Sequence, residues 1–153
     1  MIFQSRAQTS GPIFDTNKSD MLKKVGELRS FEARAKEASE KRRPRFEERG
    51  QLTPRERLSA LLDPGMPFLE LYNMASFLVD DPNPDTSIPG ASIIMGIGFI
   101  SGVRSMVFVD DSGIAAGAAT TQTVQKAVGC LAISLKQKLP FVHLVESAGA
   151  NLM

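Results

Sequence analysis

The C-terminal third of the chain carries the pattern that most constrains its fold. Residues 93–100 form an apolar run containing two glycines, Ser101-Gly102 is typical of a tight turn, and residues 105–109 form a second apolar run. A loop of small residues, a helical pattern over 123–138 and a short apolar run over 141–145 follow. A hairpin followed by a helix and another strand is one layer of an α/β fold with a right-handed crossover. The sequence predicts one such layer and the start of the next.

The predicted helix over 123–138 has a clear apolar stripe. Pro140 ends it, and Cys130 lies in an apolar run, where a free cysteine usually packs as a small hydrophobic residue. We therefore expect Cys130 to be buried. The residues expected to face inward are Val124, Val128, Leu131, Ala132 and Leu135.

The N-terminal 65 residues read as helical. Residues 1–16 lack periodicity and are expected to be a flexible N-terminus, and 17–40 show helical spacing. Thr53 to Glu56 form a capping box with Pro54 at the first helical position. The predicted organisation is a flexible terminus over 1–16, a helical segment over 17–65 and an α/β domain over 66–153.

Composition excludes several classes of protein. The 153 residues carry a net charge of +1 and one cysteine, which argues against a nucleic-acid partner and rules out an internal disulfide. No apolar run approaches the ~20 residues that a membrane span needs. The acidic residues of 80–85 are interrupted by prolines and fit turns, so no metal is predicted. We expect a cytoplasmic protein, or a mitochondrial matrix protein if the source is eukaryotic.

A turn of small residues, 147–150, follows the last predicted strand. Such a turn can present backbone N–H groups to a ligand, and two of them can form an oxyanion hole. A plain tight turn is the alternative. A serine hydrolase is disfavoured because the first glycine of the nucleophile elbow is missing and the only histidine, His143, lies within the strand. We expect His143 to be a core or interface residue.

Two further segments suggest ligand binding. Ala115, Ala116 and Gly117 have almost no side chain, so a bulky ligand could lie against their backbone, although tight packing would also explain them. The segment has no Walker A pattern. The basic cluster formed by Lys41, Arg42, Arg43 and Arg45 is either a solvated helix face or an attractor for a phosphate-bearing ligand.

Six motifs occur in order between about residue 30 and the C-terminus. They are Gly50-Gln51-Leu52-Thr53-Pro54-Arg55-Glu56-Arg57-Leu58, Leu61-Leu62-Asp63-Pro64-Gly65, Gly96-Ile97-Gly98-Phe99-Ile100-Ser101-Gly102, Val109-Asp110-Asp111-Ser112-Gly113 through Gly117, Lys138-Leu139-Pro140 and Glu146-Ser147-Ala148-Gly149-Ala150. Their order and spacing resemble one known family, the carboxyltransferase (beta) subunit of biotin-dependent acyl-CoA carboxylases, of the methylcrotonyl-, geranyl- or propionyl-CoA carboxylase type.

The resemblance implies a truncated crotonase-like (ClpP/crotonase) superhelix of ββα units, preceded by N-terminal helices. It implies that the N–H groups of Ala148 and Gly149 hold a thioester oxygen as it becomes an enolate. Ala115, Ala116, Gly117 and Ala150 would line the acyl-CoA site. The implied cofactor is biotin, carried as carboxybiotin by a biotin carboxylase/biotin carrier (alpha) subunit, and the implied full-length form is a homo-oligomer.

The sequence also departs from the family pattern. Gln51 replaces a lysine, Ala115-Ala116 replace Lys-Gly, Ala148 replaces a glycine and Asn151 replaces an arginine. These changes favour methylcrotonyl, geranyl or other relatives over the propionyl enzymes. The family's subunits are much longer, so this chain is expected to be a fragment that is inactive alone. Alternatives are a subunit of a biotin-dependent decarboxylase, or a non-catalytic CoA-binding or assembly module that pairs through its sheet and helix 17–40.

Overall fold

The computed structural model describes residues 7–150. A mixed four-stranded sheet carries helices on both faces, and three helices precede the main strands. The helices are α1 Pro12–Glu40, α2 Arg43–Glu48, α3 Pro54–Leu61 and α4 Thr121–Gln137, and a short 3-10 helix covers Ala115–Gly117. The strands are β1 Leu69–Glu70, β2 Ile93–Ile100, β3 Val103–Asp110 and β4 Phe141–Leu144.

The sheet has the order β1-β2-β3-β4. β1 and β2 are antiparallel, β2 and β3 form the predicted hairpin, and β4 lies parallel to β3 after the crossover through α4. The hairpin turn is held from outside, because the Asp63 carboxylate accepts the N–H groups of Ser101 and Gly102 at 2.7 Å each. The predicted ββα layer is therefore confirmed.

The two faces of the sheet bury different side chains. Ile94, Val107 and Val109 pack with Leu58 of α3 on one face. Met95 and Met106 pack with Cys130 of α4 on the other, so the expected burial of Cys130 is confirmed. Alternation of side chains along each strand separates the two clusters.

For the N-terminal helices, the structure confirms the predicted start of α3 but not that of α1. α3 has the predicted capping box, in which the Thr53 N–H donates to Glu56 Oε2 at 2.9 Å and the Glu56 N–H donates to Thr53 Oγ1. α1 begins at Pro12, five residues before the predicted helix, because a proline fits the first helical position after Gly11. The helix therefore replaces the last five residues of the expected flexible terminus, and residues 1–6 lie outside the described range.

The orientation of α4 corrects the sequence prediction. The stripe that faces the sheet contains Thr123, Lys126, Cys130 and Ser134, one position away from the expected one. Lys126 is fully buried, and its Nζ donates to the carbonyl oxygens of Gly90 (3.1 Å) and Ile93 (2.7 Å). These carbonyls need a donor, which explains why a charged residue faces inward. The exposed stripe contains Val124, Val128, Leu131 and Leu135.

Candidate functional site

A cavity of about 440 Å³ lies between α2 and two loops that follow neighbouring strands. One loop follows β3 and the other follows β4; because these strands are parallel, both loops leave the same edge of the sheet. The buried Phe46 fixes α2 against this edge. The lining residues are Arg42, Arg45, Phe46, Arg49, Ser112, Gly113, Ala115, Ala116, Glu146, Ser147 and Ala148.

One wall of the cavity is strongly basic. Within residues 7–150, Arg42, Arg45 and Arg49 form no ion pair with a carboxylate. Their spacing of three and four residues places them on one side of the α2 segment. Unpaired guanidinium groups beside a concave surface suit an anionic ligand, above all a phosphate.

Arg43 is directed away from this wall. It forms ion pairs with Glu40 and Glu56, so this part of the predicted phosphate cluster has a structural role. The hydrogen bond from Arg43, followed by those from Thr53, lowers the pKa of Glu56 to about 2. Lys41 lies outside the cavity lining as well.

The loop after β3 has an unusual backbone. Ala115 (φ 47°), Ala116 (φ 53°) and Gly117 (φ 68°) are consecutive residues in the left-handed region. Alanine is strained there by roughly 1–2 kcal/mol per residue, whereas glycine is not. Gly117 is also closely packed, because a Cβ on it would lie 2.6 Å from the carbonyl oxygen of Glu146. The strain is located where a ligand would meet the backbone, which is common at functional sites.

The turn after β4 is joined to this loop by hydrogen bonds. Ser147 Oγ donates to Gly117 O at 2.7 Å, and the Ala119 N–H donates to Gly149 O at 2.9 Å. The Ala148 N–H donates to Ala116 O at 3.1 Å, and the Gly149 N–H donates to Ser147 Oγ at 3.1 Å.

These bonds involve the two amides that the resemblance implies for an oxyanion hole, a role that stays a prediction. Both N–H groups predicted to form the oxyanion hole already have acceptors inside the protein, so this conformation presents no ready-made hole at Ala148 and Gly149. Ala148 itself is unstrained, since its φ is not positive. A thioester oxygen could accept from Ala148 only by replacing the carbonyl of Ala116.

Asp110 anchors the β4 turn from the other side. This buried carboxylate accepts the Glu146 N–H at 2.9 Å, and its Oδ2 lies 3.3 Å from His143 Nε2. The His143 ring stacks on Phe108 with 3.9 Å between centroids. Glu146 also forms an ion pair with Arg57 of α3. His143 thus belongs to a positioning network at the sheet edge, and among residues 7–150 it forms no hydrogen bond with a serine hydroxyl.

Asp111 anchors the β3 loop to α1. The buried carboxylate accepts the hydroxyl of Ser39 at 2.6 Å and the Gly113 N–H at 3.2 Å. Burial raises the pKa of Asp111, and the hydrogen bond from Ser39 opposes that rise. The C-terminal end of α1 therefore holds in place the β3 loop that lines the cavity.

The structure brings part of the predicted site together. Ala115, Ala116 and Ala148 line the cavity, whereas Gly117, Gly149 and Ala150 are not among its lining residues. Sequence reasoning overlooked Arg49, although the 42, 45, 49 spacing on a helix could have identified it. It also overlooked Phe46, Ser112, Gly113, Glu146 and Ser147 as lining residues. Asn151 lies outside the described range.

The described residues lack two features that would bear on function. No group of three or more His, Cys, Asp or Glu side chains in the range 7–150 is arranged to hold a metal ion. Over the same range, no helix has the length and apolar character needed to cross a membrane.

One protein family matches most of the chain. Residues 45–153 match the family described as the carboxyl transferase domain. The chain belongs to the carboxyl transferase family. The carboxyl transferase chain is 39% identical over 130 residues to the Mycobacterium tuberculosis biotin-dependent 3-methylcrotonyl-coenzyme A carboxylase beta1 subunit, covering 84% of this chain and 24% of the relative. It is 31% identical over 152 residues to a probable mitochondrial methylcrotonoyl-CoA carboxylase beta chain of Drosophila melanogaster, covering 99% of this chain and 26% of that one.

Solved structures agree with this membership. The beta subunit of P. aeruginosa geranyl-CoA carboxylase superposes with a TM-score of 0.87 at 41% identity, covering 98% of this chain and 28% of the other. The transcarboxylase 12S hexamer with methylmalonyl-coenzyme A bound gives a TM-score of 0.70 at 24% identity and supports the fold alone, covering 88% of this chain and 26% of that one. The fold is the predicted crotonase-like one, and the carboxyl transferase chain spans about a quarter of the length of these relatives.

Proposed function

We propose that this carboxyl transferase chain is the acyl-CoA-binding part of the carboxyltransferase subunit of a biotin-dependent acyl-CoA carboxylase. The observation that carries the proposal is the cavity with unpaired arginines on one wall and small residues on the opposite side. Coenzyme A joins a phosphate-rich nucleotide to a slender thioester arm. The two walls match these two parts in charge and in shape.

The arginine wall would take the nucleotide. Arg42, Arg45 and Arg49 can each offer paired N–H donors to phosphate oxygens, and no carboxylate within residues 7–150 competes for them. The cavity is open enough to leave these contacts partly solvated, so each should contribute modestly. Together they would orient the thioester arm toward the two loops.

The loop wall would receive the thioester. Ala115 and Ala116 have side chains small enough to let the arm approach the backbone, and Ala148 lies opposite. The thioester oxygen would replace Ala116 O as the acceptor of the Ala148 N–H. It would also replace Ser147 Oγ as the acceptor of the Gly149 N–H, which would be the second donor. Fixed backbone dipoles stabilise the negative charge that grows on this oxygen as the enolate forms. Carboxybiotin, carried by a partner alpha subunit, would supply the CO₂, and the biotin nitrogen that loses the CO₂ would accept the proton that leaves the acyl group.

The whole assembly extends beyond this chain. The relatives named above are beta subunits of biotin-dependent carboxylases, so we propose an alpha-subunit partner and a homo-oligomeric full-length form, in the cytoplasm or the mitochondrial matrix. The similarity to a geranyl- and a methylcrotonyl-CoA enzyme supports a branched or unsaturated acyl group. A second candidate is CoA binding without catalysis, which the occupied amides of Ala148 and Gly149 favour for the chain by itself.

Calorimetric titration with 3-methylcrotonyl-CoA tests the proposal. We expect saturable binding to the 153-residue chain and a loss of about tenfold or more for the Arg45→Gln/Arg49→Gln variant, because charged hydrogen bonds to phosphate are removed. Arg104→Gln is the matched control, since Arg104 is exposed on β3 away from the cavity. Absence of saturable binding, or equal affinities for all three proteins, would contradict the proposal.

A further inference from the structure

The first part of α1 projects from the body of the protein. The helix contacts the body from Phe31 onward: the Phe31 and Phe77 rings are 4.8 Å apart, and Asn73 donates to Glu32 at 2.6 Å. Over 12–30, every side-chain hydrogen bond of the described structure stays within α1. This free segment of α1 is roughly 28 Å long at 1.5 Å per residue.

The free segment carries an apolar stripe. Met21, Leu22, Val25 and Leu28 are 40–64% exposed, which is unusual for large apolar side chains grouped on one helix face. Phe14, Met21, Leu28 and the buried Ala35 are spaced by seven residues, so the stripe continues the face that packs on the body. A helix of this length without tertiary contacts is marginally stable in water, and it requires a partner.

We propose that this partner is the same segment of a second copy, packed antiparallel. The charges in the stripe select the direction. A parallel pair would place Lys18 on Lys18 and Glu32 on Glu32 of the second copy within the seam. In an antiparallel pair, the twofold axis would pass level with residue 23, whose side chain points away from the seam. Lys18 then packs against Leu28 of the second copy and Phe14 against Glu32, so like charges no longer meet.

The flanking residues complement each other in the same register. Met21 packs against Val25 of the second copy, and the two Leu22 side chains meet at the centre. Asp15 faces Arg29 of the second copy, and the symmetry repeats this opposite-charge contact. Arg29 also pairs with Glu32 of its own helix at 2.7 Å, so it would be shared between the two carboxylates. Lys24 already has a partner in its own helix, Glu27 at 2.9 Å, which limits repulsion between the two copies of Lys24.

The length of the free segment fits this arrangement. With residue 23 at the centre, Phe14 of one copy lies level with Glu32 of the other, next to the point where α1 meets its own body. The second helix therefore fills the free segment and ends at the body. The exposed stripe of α4 remains outside this interface.

Sedimentation of the 153-residue chain tests the proposal through a charge swap. We expect a dimer that Arg29→Asp weakens about tenfold, because two favourable contacts become repulsive. The double variant Asp15→Arg/Arg29→Asp should restore the dimer. Lys23→Asp makes the same charge change on the opposite helix face and should leave the dimer unchanged.

Disulfide trapping gives an independent readout. Leu22→Cys should cross-link to the same position of the second copy under mild oxidation, whereas Lys23→Cys, on the opposite helix face, should not. The natural Cys130 is buried and should not contribute cross-links of its own. Three results would overturn the proposal: a monomer at all concentrations, failure of the double variant to restore association, or a dimer that Val128→Glu on α4 abolishes while Arg29→Asp leaves it intact. The first would indicate another partner for α1, and the third would locate the contact on α4.

Discussion

Gly117→Ala is the substitution for which the geometry gives the clearest magnitude. Gly117 has φ 68°, a conformation that costs alanine about 1 kcal/mol or more. The new Cβ would also lie 2.6 Å from Glu146 O and 3.4 Å from the Ser147 Cα. Real Cβ atoms do not approach backbone oxygen this closely, so the turn after β4 would have to move.

That turn is held on both sides, so the clash is expensive to relieve. The Glu146 N–H is bonded to Asp110 at 2.9 Å, and Ser147 Oγ is bonded to Gly117 O at 2.7 Å. Overpacking of this kind costs roughly 1–3 kcal/mol. Together with the backbone strain, Gly117→Ala should lower the free energy of unfolding by about 2–4 kcal/mol.

Urea denaturation with a matched control separates the two contributions. Gly102 has a similar φ of 77°, but no heavy atom of the described residues lies within 4 Å of the position that an added Cβ would take. Gly102→Ala should therefore lose about 1 kcal/mol from backbone strain alone. With slopes of about 1–3 kcal/mol per molar urea, the midpoint of Gly117→Ala should fall clearly below that of Gly102→Ala. Equal midpoints would refute the close packing between the β3 loop and the β4 turn.

Three further substitutions test other parts of the account. Ala116→Gly should raise the free energy of unfolding by up to about 1 kcal/mol, because glycine adopts the left-handed backbone conformation of residue 116 without strain. A lower melting temperature than that of the natural chain would contradict this. Thr53→Ala should cost about 1 kcal/mol in urea unfolding through loss of the α3 capping box, and no loss would show that the cap is dispensable. Burial lowers the pKa of Lys126 from 10.5 to about 8, so the folded state binds fewer protons than the unfolded state between these values. The stability of the natural chain relative to Lys126→Met should therefore rise from about pH 8 to 10.5, and parallel pH curves would contradict the burial of Lys126.

Local signals in the sequence are sufficient for several of the helices, strands and turns. The capping box at Thr53, the turn at Ser101-Gly102 and the strand at β4 all depend on residues close together in the chain, and all are present. The sequence predicts the start of α1 five residues too late, because Pro12 begins the helix without a side-chain cap.

Contacts between distant segments explain what the sequence could not show. Two adjacent stripes of α4 have helical spacing, so spacing alone does not show which one faces the sheet. The stripe with Lys126 faces the sheet because Lys126 donates to the carbonyl oxygens of Gly90 and Ile93, which lie more than 30 residues away in the sequence. The sequence predicts the turn at 147–150, but the acceptor of the Ala148 N–H lies in the loop after β3. Such pairings appear only when the two loops meet in space.

Amide NMR during titration with 3-methylcrotonyl-CoA tests the central claim most directly. If the thioester replaces Ala116 O as the acceptor, the amide signals of Ala148 and Gly149 should shift strongly with the acyl-CoA. Free CoA should shift the signals of Arg42, Arg45 and Arg49 but leave Ala148 nearly unchanged. Identical shifts with both ligands, or shifts confined to residues outside the cavity, would contradict the account.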